Sequence, residues 1–144
     1  MILTEFVGKN LGTKVRDGQC VALYRQYIQD VWKLPPLEGL GATGGAEGLY
    51  YRYNSDVGPL SRRHLELIYY NDPSMRPQPG DAVIFKASPT NRFGHVGICT
   101  GITDAGEIEL FEQDGIAVLR GQPGGAKIGL WNLDRVLGWL RKRE

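Results

Sequence analysis

Two cysteines and two histidines are all that this 144-residue chain carries of the side chains most used in metal and thiol chemistry. Two cysteines are too few for a disulfide-dense scaffold or a four-cysteine zinc site. A charge excess is also missing. Seventeen Lys+Arg face sixteen Asp+Glu, a formal net charge of +1. A protein that follows the phosphates of a nucleic acid carries a large basic excess, so no nucleic-acid partner is expected. No apolar run approaches the ~18–20 residues of a membrane helix, so no membrane insertion is expected either. The opening residues, Met1 to Asn10, lack a basic segment followed by an apolar core. No secretory signal peptide is therefore expected, and synthesis in the cytoplasm is. Internal repeats and low-complexity tracts are absent. What remains is enough for a core: 42% of residues are hydrophobic and 23% charged, the balance of an ordered globular chain. The length is that of one domain, and residues 1–144 are read as a single unit.

Glycine and proline cluster at 35–48, 58–59, 73–80, 89–94 and 121–125. These stretches read as loops between elements. The clearest helix spans Gln19 to Lys33. Cys20, Tyr24, Tyr27, Ile28 and Val31 fall on one face, and Arg25, Gln26, Gln29 and Asp30 fill the other. Asp17 is a candidate N-cap, and Pro35-Pro36 ends the pattern. Shorter helical pieces are expected near 46–53 and 61–70. The second half changes period: Ala82–Lys86, His95–Thr100, Ile108–Glu112, Ile116–Leu119 and Val136–Arg141 read as short strands. Helices followed by strands predict an α+β domain with an antiparallel sheet packed on the N-terminal helix. The closing Arg141-Lys142-Arg143-Glu144 reads as a solvated basic tail.

Three segments carry candidate chemistry. Cys20 stands near the start of the main helix, where unpaired N–H groups and the helix dipole favour a thiolate, the nucleophilic form. Its competing reading is a small buried apolar residue. His95 follows Gly94 and opens a strand, which sets its ring at a sheet rim, where it can serve as the base a cysteine nucleophile needs. His64, in a charged helical stretch, reads as a surface residue. The third segment is Glu112-Gln113-Asp114. Strands on either side of Thr103-Asp104-Ala105-Gly106 would pair residues whose numbers sum to 209 if the loop has two or four residues. Asp114 then lies opposite His95, Glu112 opposite Gly97 and Leu110 opposite Cys99, all on one face. A three-residue loop would flip Glu112 to the other face. Cys99, in the middle of a strand, reads as core filling, and a Cys20–Cys99 disulfide stays open.

Gly18-Gln19-Cys20, Pro79-Gly80-Asp81, Gly94-His95-Val96 and Glu112-Gln113-Asp114, in this order, resemble the CHAP family, the cysteine, histidine-dependent amidohydrolases/peptidases. The likeness runs over nearly the whole chain, from Phe6 to the terminal strand. It implies a papain-like α+β fold and cleavage of amide bonds in bacterial peptidoglycan. By that resemblance Cys20 is the nucleophile, His95 the base and Glu112 the acid that orients it. Asp114 falls where many members have Asn, and its role stays open among polarising His95, positioning substrate and idling. The Cys20 backbone N–H would meet the oxyanion, with Gln19 or Gln113 as a second donor. Some members bind calcium just before the cysteine. Here residues 12–18 hold one carboxylate and two cations, so no calcium is expected through that loop, and the thiol mechanism needs no metal or organic cofactor.

The aromatic run Tyr50-Tyr51-Arg52-Tyr53 and the Gly-rich 39–46 are candidate substrate contacts, with core packing and a connecting loop as the stronger reading. Trp32, Trp131 and Trp139 read as core. The resemblance implies a monomer acting on the cell wall after release or injection, as a phage endolysin, a virion lysin or an injected effector. The cleaved bond is left open between an N-acetylmuramoyl-L-alanine amide and a stem or cross-bridge peptide. Two other readings compete: a thiol hydrolase of the NlpC type acting on another amide, and a catalytically silent wall-binding or virion structural module.

Overall fold

The computed structural model describes residues 1–37, 45–114 and 125–144. Among these, helices α1 (Leu3–Asn10), α2 (Cys20–Asp30), α3 (Gly48–Tyr51) and α4 (Pro59–His64) come first. Strands β1 (Leu65–Tyr69), β2 (Ala82–Phe85), β3 (His95–Ile102), β4 (Ile108–Glu112), β5 (Lys127–Trp131) and β6 (Val136–Lys142) follow. The strands form one sheet in the order β1-β6-β2-β3-β4-β5, antiparallel throughout. This is the expected α+β, papain-like arrangement.

Both faces of the central strands are covered, which is why β2 (Ala-Val-Ile-Phe) is apolar at every position and buried along its length. Ala82, Ile84, Val96, Ile98, Phe111 and Leu140 pack on the helices through Phe6, Leu23, Tyr24, Tyr27 and Ile28. Val83, Phe85, Cys99, Ile108, Leu110 and Trp139 form a second cluster, joined by Tyr70, Met75 and Leu133. Phe6 is fully buried, edge-to-face with Tyr27 at 5.3 Å and Phe111 at 6.0 Å between ring centroids. Burial of such a side chain contributes about 1.5–3 kcal/mol, enough to seat α1 between α2 and β4.

The Pro79-Gly80-Asp81 turn locks α2 to the sheet. Gly80 has φ +99°, a conformation that favours glycine. Its carbonyl accepts from the Tyr27 hydroxyl at 2.9 Å, and its N–H donates to the Cys99 carbonyl at 2.8 Å. Asp81 is buried and accepts two bonds from the Arg141 guanidinium, at 2.9 and 2.7 Å. Its carboxylate also takes the Gln78 N–H at 2.7 Å.

Several expectations are corrected. Helix α2 begins at Cys20 and stops at Asp30, ahead of Lys33, whose φ is +57°. Asp17 does not cap it: the N-cap is Gln19, and the Asp17 carboxylate accepts the Gln19 N–H at 3.1 Å. The expected helix at 61–70 ends at His64. Leu65 to Tyr69 is instead a strand with Leu65 and Leu67 buried and Glu66 exposed, because β6 pairs with it, Leu65 opposite Lys142 and Glu66 opposite Arg141. The supposed basic tail is therefore partly a strand. Helix α1 and strand β5 were not expected, and the expected strand Ile116–Leu119 lies outside the described residues.

Candidate active site

Cys20 is the first residue of α2. Its N–H and that of Val21 have no acceptor within the helix, so the helix's positive end lies beside Cys20. A turn delivers it there: the Gly18 N–H bonds the Val15 carbonyl at 3.0 Å, with Gly18 at φ +86°. Gln113 holds that turn from the sheet. Its Oε1 accepts the Val15 N–H at 2.6 Å, and its Nε2 donates to the carbonyls of Val15 at 3.1 Å and Gln19 at 2.9 Å. Gln113 is fully buried, with its amide committed to the backbone. This corrects its reading as an oxyanion donor: it braces the turn that leads into Cys20. Gln19 is exposed beside Cys20.

His95 starts β3 next to Gly94, whose φ is +76° and whose carbonyl accepts from the Asn91 side-chain amide at 2.8 Å. Whether Glu112 faces it depends on the β3–β4 hairpin. At the turn, Ile102 pairs with Ile108 and Gly101 with Glu109, sums of 210, the register of a three-residue loop. The Thr103 N–H closes that loop on the Glu107 carbonyl at 2.9 Å. On its own this would turn Glu112 away. Between Cys99 and Gly101 the register shifts, and Cys99 pairs with Leu110 and Ile98 with Phe111, sums of 209. Thr100 is the extra residue of a β-bulge, and its hydroxyl donates to the Glu109 carboxylate at 2.8 Å. The bulge restores the facing alignment.

The result is a buried pair. His95 Nε2 lies 2.9 Å from Glu112 Oε1, and both side chains are almost wholly enclosed. Glu112 Oε2 accepts the Trp131 indole N–H at 2.7 Å. The Trp131 ring stacks on the imidazole, 5.0 Å between centroids and 21° between planes. Phe85 lies 5.7 Å from the imidazole and 4.8 Å from the indole. Burial by itself would lower the His95 pKa. Hydrogen bonds to Cys20 and Glu112, and the charges of both, outweigh it and raise the pKa to about 9. At neutral pH the imidazole is thus held as imidazolium between two groups that carry or can carry negative charge.

Asp114 is half-buried on the wall of a groove of about 490 Å³. His95, Glu112, Asn91, Lys127 and Trp131 share that wall. Cys99 lies away from this site. Cys99 is fully buried, its thiol points to the Gly101 carbonyl at 3.6 Å, and both cysteines are free. Burial, opposed by that backbone contact and reinforced by the charges of Asp81 and Glu109, pushes its pKa up to about 11. Among the described residues no cluster of three or more His, Cys, Asp or Glu is arranged to hold a metal ion. Trp32 and Trp139 are core, as expected. Trp131 packs half-buried against the second cluster and also lies over the imidazole. Its strand, Lys-Ile-Gly-Leu-Trp, is a largely exposed edge, and its one usable signal was an aromatic two residues after a glycine in an alternating run.

The fold is shared with known structures. The wild-type endolysin LysIME-EF1 superposes with a TM-score of 0.70 at 22% identity, over 98% of this chain and 64% of that one. Ly7917 superposes with 0.64 at 18%, over 99% and 62%. Its structure with the hydrolyzing product of MDP gives 0.65 at 17%, over 95% and 60%. The chain thus spans somewhat under two thirds of the length of each. No curated protein sequence matches it. Residues 10–114 match the CHAP domain family, and the chain belongs to that family.

Proposed function

We propose that this protein is a peptidoglycan hydrolase that cleaves an amide bond by thiol acyl transfer. The observation that carries the reading is the meeting of Cys20, at a helix N-terminus, with the buried His95–Glu112 pair, a pair that lines an open groove. The Cys20 thiolate attacks the amide carbonyl. The oxyanion is met by the Cys20 N–H, with the exposed Gln19 amide as second donor. The His95 imidazolium gives its proton to the leaving amine. The neutral ring then takes a proton from water, whose oxygen attacks the thioester, and the acid leaves as sulfur and imidazolium are restored. Glu112 holds the ring and stabilises its charged form. Asp114 shares the groove wall with His95, which supports a role in positioning substrate.

Family membership supports the amidase or peptidase chemistry, and the endolysin among its structural neighbours supports the wall as substrate and a phage setting. Residues 1–144 are proposed as one catalytic unit acting as a monomer. The test is clearance of purified bacterial walls by the wild type against Cys20→Ala, with mass spectrometry of the released fragments. New amino termini at stem L-alanine would mark an amidase, and new termini within the stem or bridge a peptidase. Equal clearance by both proteins would remove the thiol mechanism, and binding without clearance by either would replace the enzyme with a wall-binding module.

A further inference from the structure

Strand β5 was not foreseen, and it supplies the closest neighbours of the His95–Glu112 pair. A carboxylate has two oxygens and no donor of its own. If only Oε1 were bonded, rotation about the last side-chain bond would let Glu112 swing away from the ring. Here Oε2 is taken by the Trp131 N–H at 2.7 Å. The same indole lies over the imidazole at 5.0 Å, nearly parallel. One side chain therefore fixes the orienting acid by its edge and roofs the base with its face. Gly129, two residues earlier on the same face of β5, completes the arrangement. A Cβ there would collide with Glu112 Oε2, so glycine is what admits the carboxylate to the space beside the indole.

We propose that Trp131 is a positioning residue of the catalytic site, holding Glu112 through its indole N–H and the imidazolium through its stacked ring, with Gly129 as the clearance that permits it. The inference rests on the thiol-hydrolase reading for its kinetic arm only. The titratable groups around the ring are Cys20 from α2, Glu112 and Asp114 at the end of β4, and Lys127 at the start of β5. Trp131 is the neutral group that sets how the nearest of these carboxylates meets the ring.

The kinetic arm follows release of new amines from solubilised peptidoglycan across pH. Trp131→Phe keeps the aromatic face and loses the N–H. Its kcat should fall about tenfold, the worth of one hydrogen bond to a charged group, with KM little changed. The alkaline limb of its rate profile should move to lower pH as Glu112 loses its grip on the imidazolium. Trp131→Ala should lose more. Gly129→Ala, which leaves the indole in place but displaces the carboxylate, should reproduce the limb shift and serves if the Trp131 variants fold poorly. An unchanged kcat, or a loss of rate with an unmoved alkaline limb, would reduce Trp131 to packing and overturn the proposal.

The spectroscopic arm needs no activity. Protonated imidazole quenches indole emission more than neutral imidazole does. Wild-type tryptophan emission should therefore rise through the His95 titration near pH 9, and the rise should be missing from His95→Ala. Emission without that step overturns the stacked coupling. If Cys20→Ala still cleared walls, the thiol reading would fail while the emission step stood, so the two failures are distinguishable.

Discussion

Two regions of the sheet contain the same three ingredients and use them differently. In one, Cys20, Glu112 and a basic side chain, His95, converge. In the other, Cys99 lies close to Asp81, which is paired with Arg141. Both carboxylates are buried and both hold a cation. The difference is the cation. Guanidinium does not give up its proton in a protein, so Asp81–Arg141 is a clamp between the β2 entry and β6. Imidazolium, even with its pKa raised to about 9, can give up and retake its proton, so His95–Glu112 suits proton transfer. The cysteines divide the same way. Cys20 begins a helix and reaches the imidazole. Cys99 sits mid-strand, faces a carbonyl, and its pKa is pushed up to about 11, chiefly by burial. A buried acid–base pair near a thiol is thus not enough for thiol chemistry; the base must also titrate and meet the sulfur.

The largest effect that would sharpen this contrast is between the two thiols. Cys20→Ala should lower wall clearance by more than about 10⁴-fold. Cys99→Ala should leave clearance intact and cost about 1–2 kcal/mol of stability through lost packing. Iodoacetamide at mildly alkaline pH should label Cys20 and spare Cys99, read by peptide mapping; preferential labelling of Cys99 would break the contrast. Next come the two carboxylates. Glu112→Gln should reduce the rate by about 10²–10³-fold, and its alkaline limb should fall below the wild type's position near 9. Asp81→Asn should leave the rate profile in place and cost about 2 kcal/mol in urea unfolding, a figure kept low because Arg141 is a third exposed.

The smallest expected effect is on stability against pH. The folded His95 pKa, about 9, is raised above the unfolded value of ~6.5. The folded state therefore holds the proton more tightly between those two values. The stabilisation is complete below about 6.5 and is lost as pH rises through 9. Urea midpoints should decline over that window in the wild type and stay flatter in His95→Ala. Arg141 offers no such slope, since it stays charged throughout.

Much of the site was legible because helix and strand periods are local. The apolar spacing from Cys20 to Ile28 marks α2 and puts the cysteine at its start. Gly94 and the alternating run after it mark the strand that His95 opens. The pairing of Leu110 with Cys99 follows from a sum rule, and it holds beside the site. The route to it was not legible. The turn has the three-residue register that argues against Glu112, and a bulge at Thr100 reverses it. Leu65–Tyr69 satisfies both helical and strand periods over five residues, and only its pairing with β6 decides. Gln113 read as a second oxyanion donor, and it is a buried brace for a turn 98 residues away.

The chain's own order of residues determined the α+β class, the helix that carries Cys20, the strand that opens on His95 and the acid seventeen positions later. Those are consequences of backbone periodicity and of turn chemistry, which act over a few neighbours. Tertiary structure alone decided that Glu112 faces the imidazole, that an edge-strand tryptophan grips its second oxygen, and that one cysteine meets a base while the other meets a carbonyl. Each of these depends on which distant backbone lies alongside, and a single-residue shift in pairing moves a side chain to the opposite face of the sheet.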